Sequence, residues 1–446
     1  MKKLLFIILL TLPFVGFGQG WERTFGGPDN DYGYCVQQTN DGGYIVTGRK
    51  TPSINDGGDV WLLKTDGIGN LLWEKNYDRL NNPYSEKGMS VKQTNDGGYI
   101  ITGLIWSSVT WLIKTDSFGD TIWTKEFGGG GIGNVYGDGM GHSVQQTTDG
   151  GYIISSGRGT TGSFTNGVIK IIKTDSFGDS LWTKTYSGHG VNTCIEQTTD
   201  GGFVITGTKC TNQNSESCDV WLIKLNSTGN ELWNTTYGNT VFGGDVWDQG
   251  NFVQQTLDGG YIIIGSTLNY LNTNNTVSNY SDVWLIKTDP YGVKQWDQTF
   301  GFSGSSDDRG KCVQQTSDGG YILVGWRNGG SRIYLIKTDG NGQEIWTKSL
   351  GGSGTDRGYY VQQTNDGGYI ITGETSSFNS SNYEDLYLIK TDGNGNITST
   401  FNIPISSNKK LEKLVDILGR ETKPQTNTPF IEIYDDGSTE KKIVVE

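Results

Sequence analysis

Alanine, the strongest helix former, does not occur anywhere in this 446-residue chain. Gly, Thr, Asn and Asp are abundant instead, and each disfavours a helix interior, so a helical bundle is excluded. Proline is scarce at 8 and no G-X-Y period runs through the sequence, which excludes collagen. Histidine occurs only twice, so His-based zinc sites and His general bases lack their parts. Positive charge is also short: 35 Lys and Arg against 48 Asp and Glu leave −13 at pH 7. With no run of five or six basic residues, such a surface repels nucleic acid and anionic lipid. What the chain has in excess is glycine, 68 residues, roughly twice its usual share. Aromatics reach 12 % while charged residues stay at 19 %, the reverse of a disordered composition.

The first segment reads as an address. Lys2 and Lys3 precede an apolar run over residues 4–15 broken only by Thr11 and Pro13. Gly16 and Gly18 then stand at −3 and −1 of a cut before Gln19, the pattern of a signal peptide over residues 1–18. The run is too short to span a bilayer, which takes about 20 apolar residues. The mature protein is therefore expected outside the cell or on its surface, monomeric, with no membrane helix.

Self-comparison gives the strongest signal. A phrase close to V-Q-Q-T-x-D-G-G-Y-I-I-x-G occurs seven times, with its aspartate at Asp41, Asp96, Asp149, Asp200, Asp258, Asp318 and Asp366. A phrase close to D-V-W-L-I-K-T-D follows each, with lysines Lys64, Lys114, Lys173, Lys224, Lys287, Lys337 and Lys390. A third begins at Trp21, Trp73, Trp123, Trp182, Trp233, Trp296 and Trp346. Each unit predicts four short strands, in the first copy over residues 36–39, 44–47, 60–65 and 71–77. Asn40-Asp41-Gly42-Gly43 supplies the first hairpin, because Asp and Gly accept the backbone that tight turns need. The third strand is continuously apolar, which implies a sheet covered on both faces.

Seven such sheets describe an all-β, seven-bladed β-propeller over residues 21–401. The seventh unit lacks its Trp phrase, and the missing phrase stands at the other end as Trp21-Glu22-Arg23-Thr24-Phe25-Gly26-Gly27. An N-terminal strand that completes the last blade closes the ring and leaves no open edge.

The phrase from Lys114 to Trp123 resembles the tryptophan-docking repeat of quinoprotein-like propellers, in which a Gly turn precedes a Trp that packs on the adjoining blade. The resemblance covers all seven units. Quinoprotein dehydrogenases usually carry eight blades and an adjacent Cys-Cys pair, both absent here, so no quinone cofactor is carried over and none is expected. Residues 408–446 read differently, as a small β-rich module. Val415-Asp416-Ile417-Leu418-Gly419-Arg420-Glu421 resembles the C-terminal sorting domain of the type IX secretion system of Bacteroidetes. That resemblance implies passage across the outer membrane by the secretion machinery, followed by release or surface attachment.

The short first-to-second and third-to-fourth turns make one plain rim. The other rim carries variable connections, and binding is expected there. Its candidate residues are Tyr136, Trp247, Tyr270, Tyr280 and Arg309, for an extracellular protein or glycan. Catalysis is the competing reading: a glycoside hydrolase needs two carboxylates on that rim, for which Asp138, Asp245, Asp248 and Asp307 are available. Asp31, Asp248, Asp308 and Asp356 each precede by two residues a Gly that leads into a first strand, and that recurrence favours turn capping. The seven Lys and the seven Gln Gln38, Gln93, Gln146, Gln197, Gln255, Gln315 and Gln363 also recur, so they are expected to satisfy polar groups between blades. His142 and His189 fall in fourth-to-first connections and read as solvated. Asp392-Gly393-Asn394-Gly395-Asn396 resembles a calcium loop but reads better as a turn, so no metal is expected. Cys35, Cys194 and Cys312 are expected just before first strands, in blades that cannot bring them together, as buried thiols. Cys210 and Cys218 bracket one variable loop and suit a disulfide in an oxidising compartment.

Overall fold

A computed structural model describes residues 20–52, 57–79, 85–105, 109–128, 143–158, 168–187, 189–210, 218–241, 244–245, 247–273, 276–301, 307–378, 383–397, 411–416, 420–423, 429–434 and 439–443. The chain divides into two units, residues 1–398 and 399–446. The first is a ring of seven four-stranded antiparallel sheets, each ordered from the innermost strand outward in chain order except the last. In blade one the strands are Tyr32–Gln38, Tyr44–Lys50, Asp59–Thr65 and Leu71–Tyr77. The first two are longer than the sequence predicts, because their variable-rim ends are polar and glycine-containing yet still paired, as Tyr32 with Arg49 and Gly33 with Gly48.

Blade seven takes its outer strand from the other end of the chain. Trp21–Phe25 pairs antiparallel with Asp385–Thr391, Trp21 opposite Lys390 and Phe25 opposite Leu386. The Tyr387 hydroxyl donates to the Glu22 carboxylate across that pair.

Each outer strand then locks its blade onto the next one through its tryptophan. Trp73 lies on Gly119 and edges Tyr99 of blade two, ring centroids 6.0 Å apart. Trp21 does the same to Gly69 and Tyr44 of blade one at 5.8 Å, so the closing junction is built like an internal one. Gly69 sits at φ +83°, and a Cβ there would stand 2.6 Å from the indole of Trp21. Only glycine meets both demands.

Inside each blade a buried lysine anchors the first hairpin. Lys64 is 3 % exposed, and its ammonium lies 2.9 Å from Asp41 while donating to the Thr65 carbonyl at 3.0 Å. Asp41 also takes the Thr39 hydroxyl at 2.5 Å and the Gly43 N–H at 2.9 Å. A Cβ at Gly43 would meet the Lys64 ammonium at 2.5 Å, which explains the second glycine of the repeated D-G-G. All seven copies make this pair within one blade, so the expectation that the lysines work between blades is corrected.

Cys210 and Cys218 form a disulfide across the paired second and third strands of blade four, Cα atoms 4.0 Å apart. The long connection after Gly265 is not a loop. It continues both strands as a hairpin, Tyr261–Thr273 against Thr276–Thr288. The second unit contains a three-stranded antiparallel sheet, Leu411–Asp416, Pro429–Tyr434 and Thr439–Ile443. In it Asp416 accepts from the Arg420 backbone N–H at 3.0 Å and from its Nε at 2.8 Å.

Replacing Trp21 by Ala is expected to destabilise the ring by about 3–5 kcal/mol, the cost of truncating a packed Trp. Deleting residues 21–27 should cost more and promote aggregation through the exposed strand edge. Chemical denaturation checks both, and a deletion variant as stable as the parent would contradict closure through this strand.

Candidate functional site

The first strands line the central channel, and much of what they place there is repeated structure. Gln38, Gln93, Gln146, Gln197, Gln255, Gln315 and Gln363 each accept, through Oε1, a turn N–H of the preceding blade at 2.8–2.9 Å. This ring has seven members and joins every neighbouring pair of blades. The residues just before them form a second ring running the other way. Gln37, Gln145, Gln254, Gln314 and Gln362 accept the backbone N–H of the next blade at 2.7–3.2 Å. Glu196 does so through Oε2 at 2.7 Å. The seventh position is Lys92.

The buried acids before the first strands also repeat. Asp31, Asp248, Asp308 and Asp356 are fully buried. Asp31 takes the Gly27 N–H at 2.6 Å and the Thr51 N–H at 2.7 Å, tying the incoming segment to the second strand. Asp248 takes the Asn239 N–H at 2.6 Å, Asp308 that of Asn328 at 2.8 Å, and Asp356 that of Gly352 at 3.0 Å. Glu86 is the blade-two member, 4 % exposed, accepting from Arg79 N–H at 3.3 Å. A motif written around Asp overlooks it.

Departure from sevenfold repetition is where a site can lie. At the variable-rim mouth, the departure among the described residues is aromatic and lies in blades six, seven and one. Tyr32 stacks on Tyr34 at 5.9 Å, Tyr34 meets Tyr359 at 5.4 Å, and Tyr359 edges Trp326 at 5.9 Å. Lys311 sits 4.7 Å over the Trp326 ring and Arg357 5.8 Å from it. Arg357 holds Glu374 at 2.6 Å, and the Tyr359 hydroxyl bonds the same carboxylate. Burial pushes the Glu374 carboxyl up, against the lowering effect of Tyr359 and Arg357, and Glu384 nearby adds to the rise. Tyr32 donates to Glu384 at 3.3 Å.

Below this mouth the channel narrows. Phe252 of blade five and Tyr360 of blade seven meet edge to face at 5.8 Å. Both line two adjoining hollows: an outer chamber that reaches Tyr34, Lys311 and Tyr359, about 570 Å³ with the open water space, and an inner one that reaches Lys92 and Glu196, about 490 Å³. Cys35 and Cys194 line the outer chamber, inside rather than before their first strands. Cys312 also lies within its strand, and all three thiols are buried and free. Each thiol donates to a carbonyl of the next blade, of Val91, Val253 and Val361 respectively, at 3.6–3.7 Å, so the three stay unpaired as expected. Burial pushes the Cys194 thiol up to about 12, so it is a poor nucleophile at neutral pH.

The remaining sequence candidates scatter. Tyr136, Asp138 and His142 lie outside the described residues. Tyr270 and Asp245 are strand residues of blade five and of a short hairpin before it, with side chains outside the description, and His189 opens the first strand of blade four. Trp247 is half-buried, and its carbonyl takes the Leu268 N–H at 3.1 Å, while Tyr280 pairs with Asn269. Asp248 is sealed from solvent by its capping role. Asp307 bonds Arg309 Nε at 3.0 Å, and Arg309 is the cross-strand partner of Trp326. The structure thus brings one candidate, Arg309, to the aromatic mouth. Asp392 takes the N–H groups of Asn394 and Asn396 at 2.9 and 2.8 Å, as Asp66 takes those of Ile68 and Asn70, so it is built as a turn.

No family model matches the chain, and no curated protein matches it. Among solved structures it is similar to the Dos1 propeller, at 10 % identity over 84 % of this chain and 96 % of that one, with TM-score 0.48. It is similar to YCF48 bound to D1 peptide, at 10 % identity over 84 % and 98 %, with TM-score 0.45. It is also similar to the alpha-L-arabinanase of Penicillium chrysogenum complexed with arabinobiose, at 11 % identity over 68 % and 92 %, with TM-score 0.44. These likenesses are of fold.

Two sets of carboxyls pull stability in opposite directions with pH. Burial raises Asp31 to about 6 and Glu86, Glu196 and Asp248 to about 7. Their neutral forms favour the folded state fully below the ordinary carboxyl range, a gain lost as pH rises toward 7. Asp41 and Asp200 go the other way: despite partial burial, hydroxyl, ammonium and N–H partners hold both at about 2. Their contribution is present above the ordinary range and lost as pH falls below it. The melting temperature is therefore expected to peak at mildly acidic pH, near pH 5, and Glu196→Gln should flatten its alkaline side. A melting temperature that climbs steadily to pH 8 would contradict this account.

Proposed function

We propose that this is an exported binding propeller that recognises an extracellular glycan at the variable-rim mouth of its channel. The observation that carries the reading is the aromatic group Tyr32, Tyr34, Tyr359 and Trp326, flanked by Lys311 and the Arg357–Glu374 pair. A fold device recurs in every blade, and this group does not. Aromatic faces beside fixed donors and acceptors suit sugar rings, which present apolar C–H faces and hydroxyl edges. Export is supported by the signal-like segment over residues 1–18. A type IX route is supported by the resemblance of residues 408–446 to a sorting domain.

The hydrolase reading has one supporting observation, the raised Glu374 carboxyl with Glu384 nearby. Against it, Arg357 at 2.6 Å and Tyr359 already occupy that carboxylate, an arrangement suited to positioning.

A glycan array with the mature protein should give a defined set of ligands. Trp326→Ala should weaken their binding tenfold or more, about 1.4 kcal/mol, in a variant that still folds but melts lower, because Trp326 is largely buried. No bound glycan, or undiminished binding by the Trp326 variant, would remove the proposal. Sugar release by the parent that disappears in Glu374→Gln would favour the hydrolase instead. Residues 408–446 fused behind a signal peptide to a reporter are expected to carry it outside a Bacteroidetes cell. Retention in the periplasm, with the parent still exported, would remove the sorting role.

A further inference from the structure

The second glutamine ring departs from Gln at two places, and at one of them, Lys92, it loses its acceptor. Five of its seven positions hold Gln, which accepts the next blade's backbone N–H. Lys92 cannot take that part, because an ammonium only donates. Glu196 does take it, through Oε2, but adds a carboxyl deep in the molecule where an amide would serve. No ion pair joins Lys92 and Glu196 among the described residues. Both line the inner chamber, with partial solvent access through it.

The chamber's polar groups are already oriented. Gln145, Gln254 and Gln314 line it, and each has committed Oε1 to a backbone N–H, which leaves its NH₂ arm as the available donor. Lys92 is steadied by donating to the Tyr360 hydroxyl at 2.9 Å, with its ammonium 5.2 Å from that ring's centre. An ammonium has two further N–H bonds to give. Lys92 in blade two and the Gln145 amide beside it in blade three therefore offer a positive charge and a donor, the requirements of a carboxylate. Glu196 offers its second oxygen two blades away, suited to a hydroxyl or amino group. Phe252 supplies an apolar wall.

We propose that the inner chamber binds a small carboxylic acid that also carries a hydroxyl or amino group. Its carboxylate sits on Lys92 and the Gln145 amide, and its donor sits on Glu196. This site is separate from the aromatic mouth and does not depend on the glycan reading.

Calorimetry on the full mature chain with D-glucuronate, D-galacturonate, L-lactate and L-serine tests it, with D-glucose and acetate as probes lacking one of the two groups. At least one of the four acids should bind 1:1, and glucose and acetate at least tenfold more weakly. Lys92→Gln completes the ring with a seventh acceptor, so it should melt at or above the parent while losing binding tenfold or more. Glu196→Gln keeps the acceptor and should weaken binding without loss of fold. Trp326→Ala should leave acid binding unchanged, which separates this result from any failure at the mouth. Binding by none of the four acids at millimolar concentration, or binding indifferent to both ring variants, would overturn the proposal.

Discussion

The fold rests on an indole lying on a glycine of the next sheet, made at every junction between blades. A blade alone exposes two apolar faces, and a ring removes that exposure only if every junction closes. Closure is decided where Trp21–Phe25 pairs with Asp385–Thr391, because there the two sides come from opposite ends of the repeat array, and Trp21 then docks on Gly69 as at any other junction. The same contact explains why glycine is abundant. In the third-to-fourth turn it supplies the positive φ and the space for the indole, and in D-G-G it clears the path of a buried lysine.

Those devices were legible in the sequence because each recurs seven times at a near-constant spacing. The displaced Trp phrase alone predicts the closing strand. The glutamines were read correctly as links between blades, whereas the lysines proved to be links within one. The difference lies in reach: Lys64 stands on the third strand and meets Asp41 across its own sheet, a relation that spacing along the chain does not separate from contact with a neighbour.

The channel was less legible. Its lining takes a few residues from each of several first strands, so groups from different strands that meet there are about fifty residues or more apart in sequence. Cys35, Cys194 and Cys312 came out as read, buried free thiols, but the chamber that Cys35 and Cys194 line draws its residues from several blades. The aromatic mouth has the same origin, since Trp326, Tyr359 and Tyr34 belong to three blades and to no common motif. Variable loops drew the eye to blade five, where the longest connection turned out to be two extended strands. A signal was nonetheless present. Reading the repeat for exceptions, Lys92-Gln93 and Glu196-Gln197 stand where other units have Gln-Gln, and Lys311 and Tyr359 stand where others differ again.

The two glutamine rings show how a propeller can hold such exceptions. The ring nearer the short turns is complete, and it ties every blade to its neighbour on its own. The second ring duplicates that linkage, so losing one acceptor at Lys92 removes a reinforcement and leaves the connection. A net hydrogen bond is worth about 0.5–1.5 kcal/mol, small against the packing of a docked tryptophan, so the closed ring tolerates the loss. Redundancy of this kind frees the inner face of a first strand from the fold. A position in a closed, rigid lumen that the fold no longer needs is one where a charge can be held in place for a ligand, without a flexible loop to carry it.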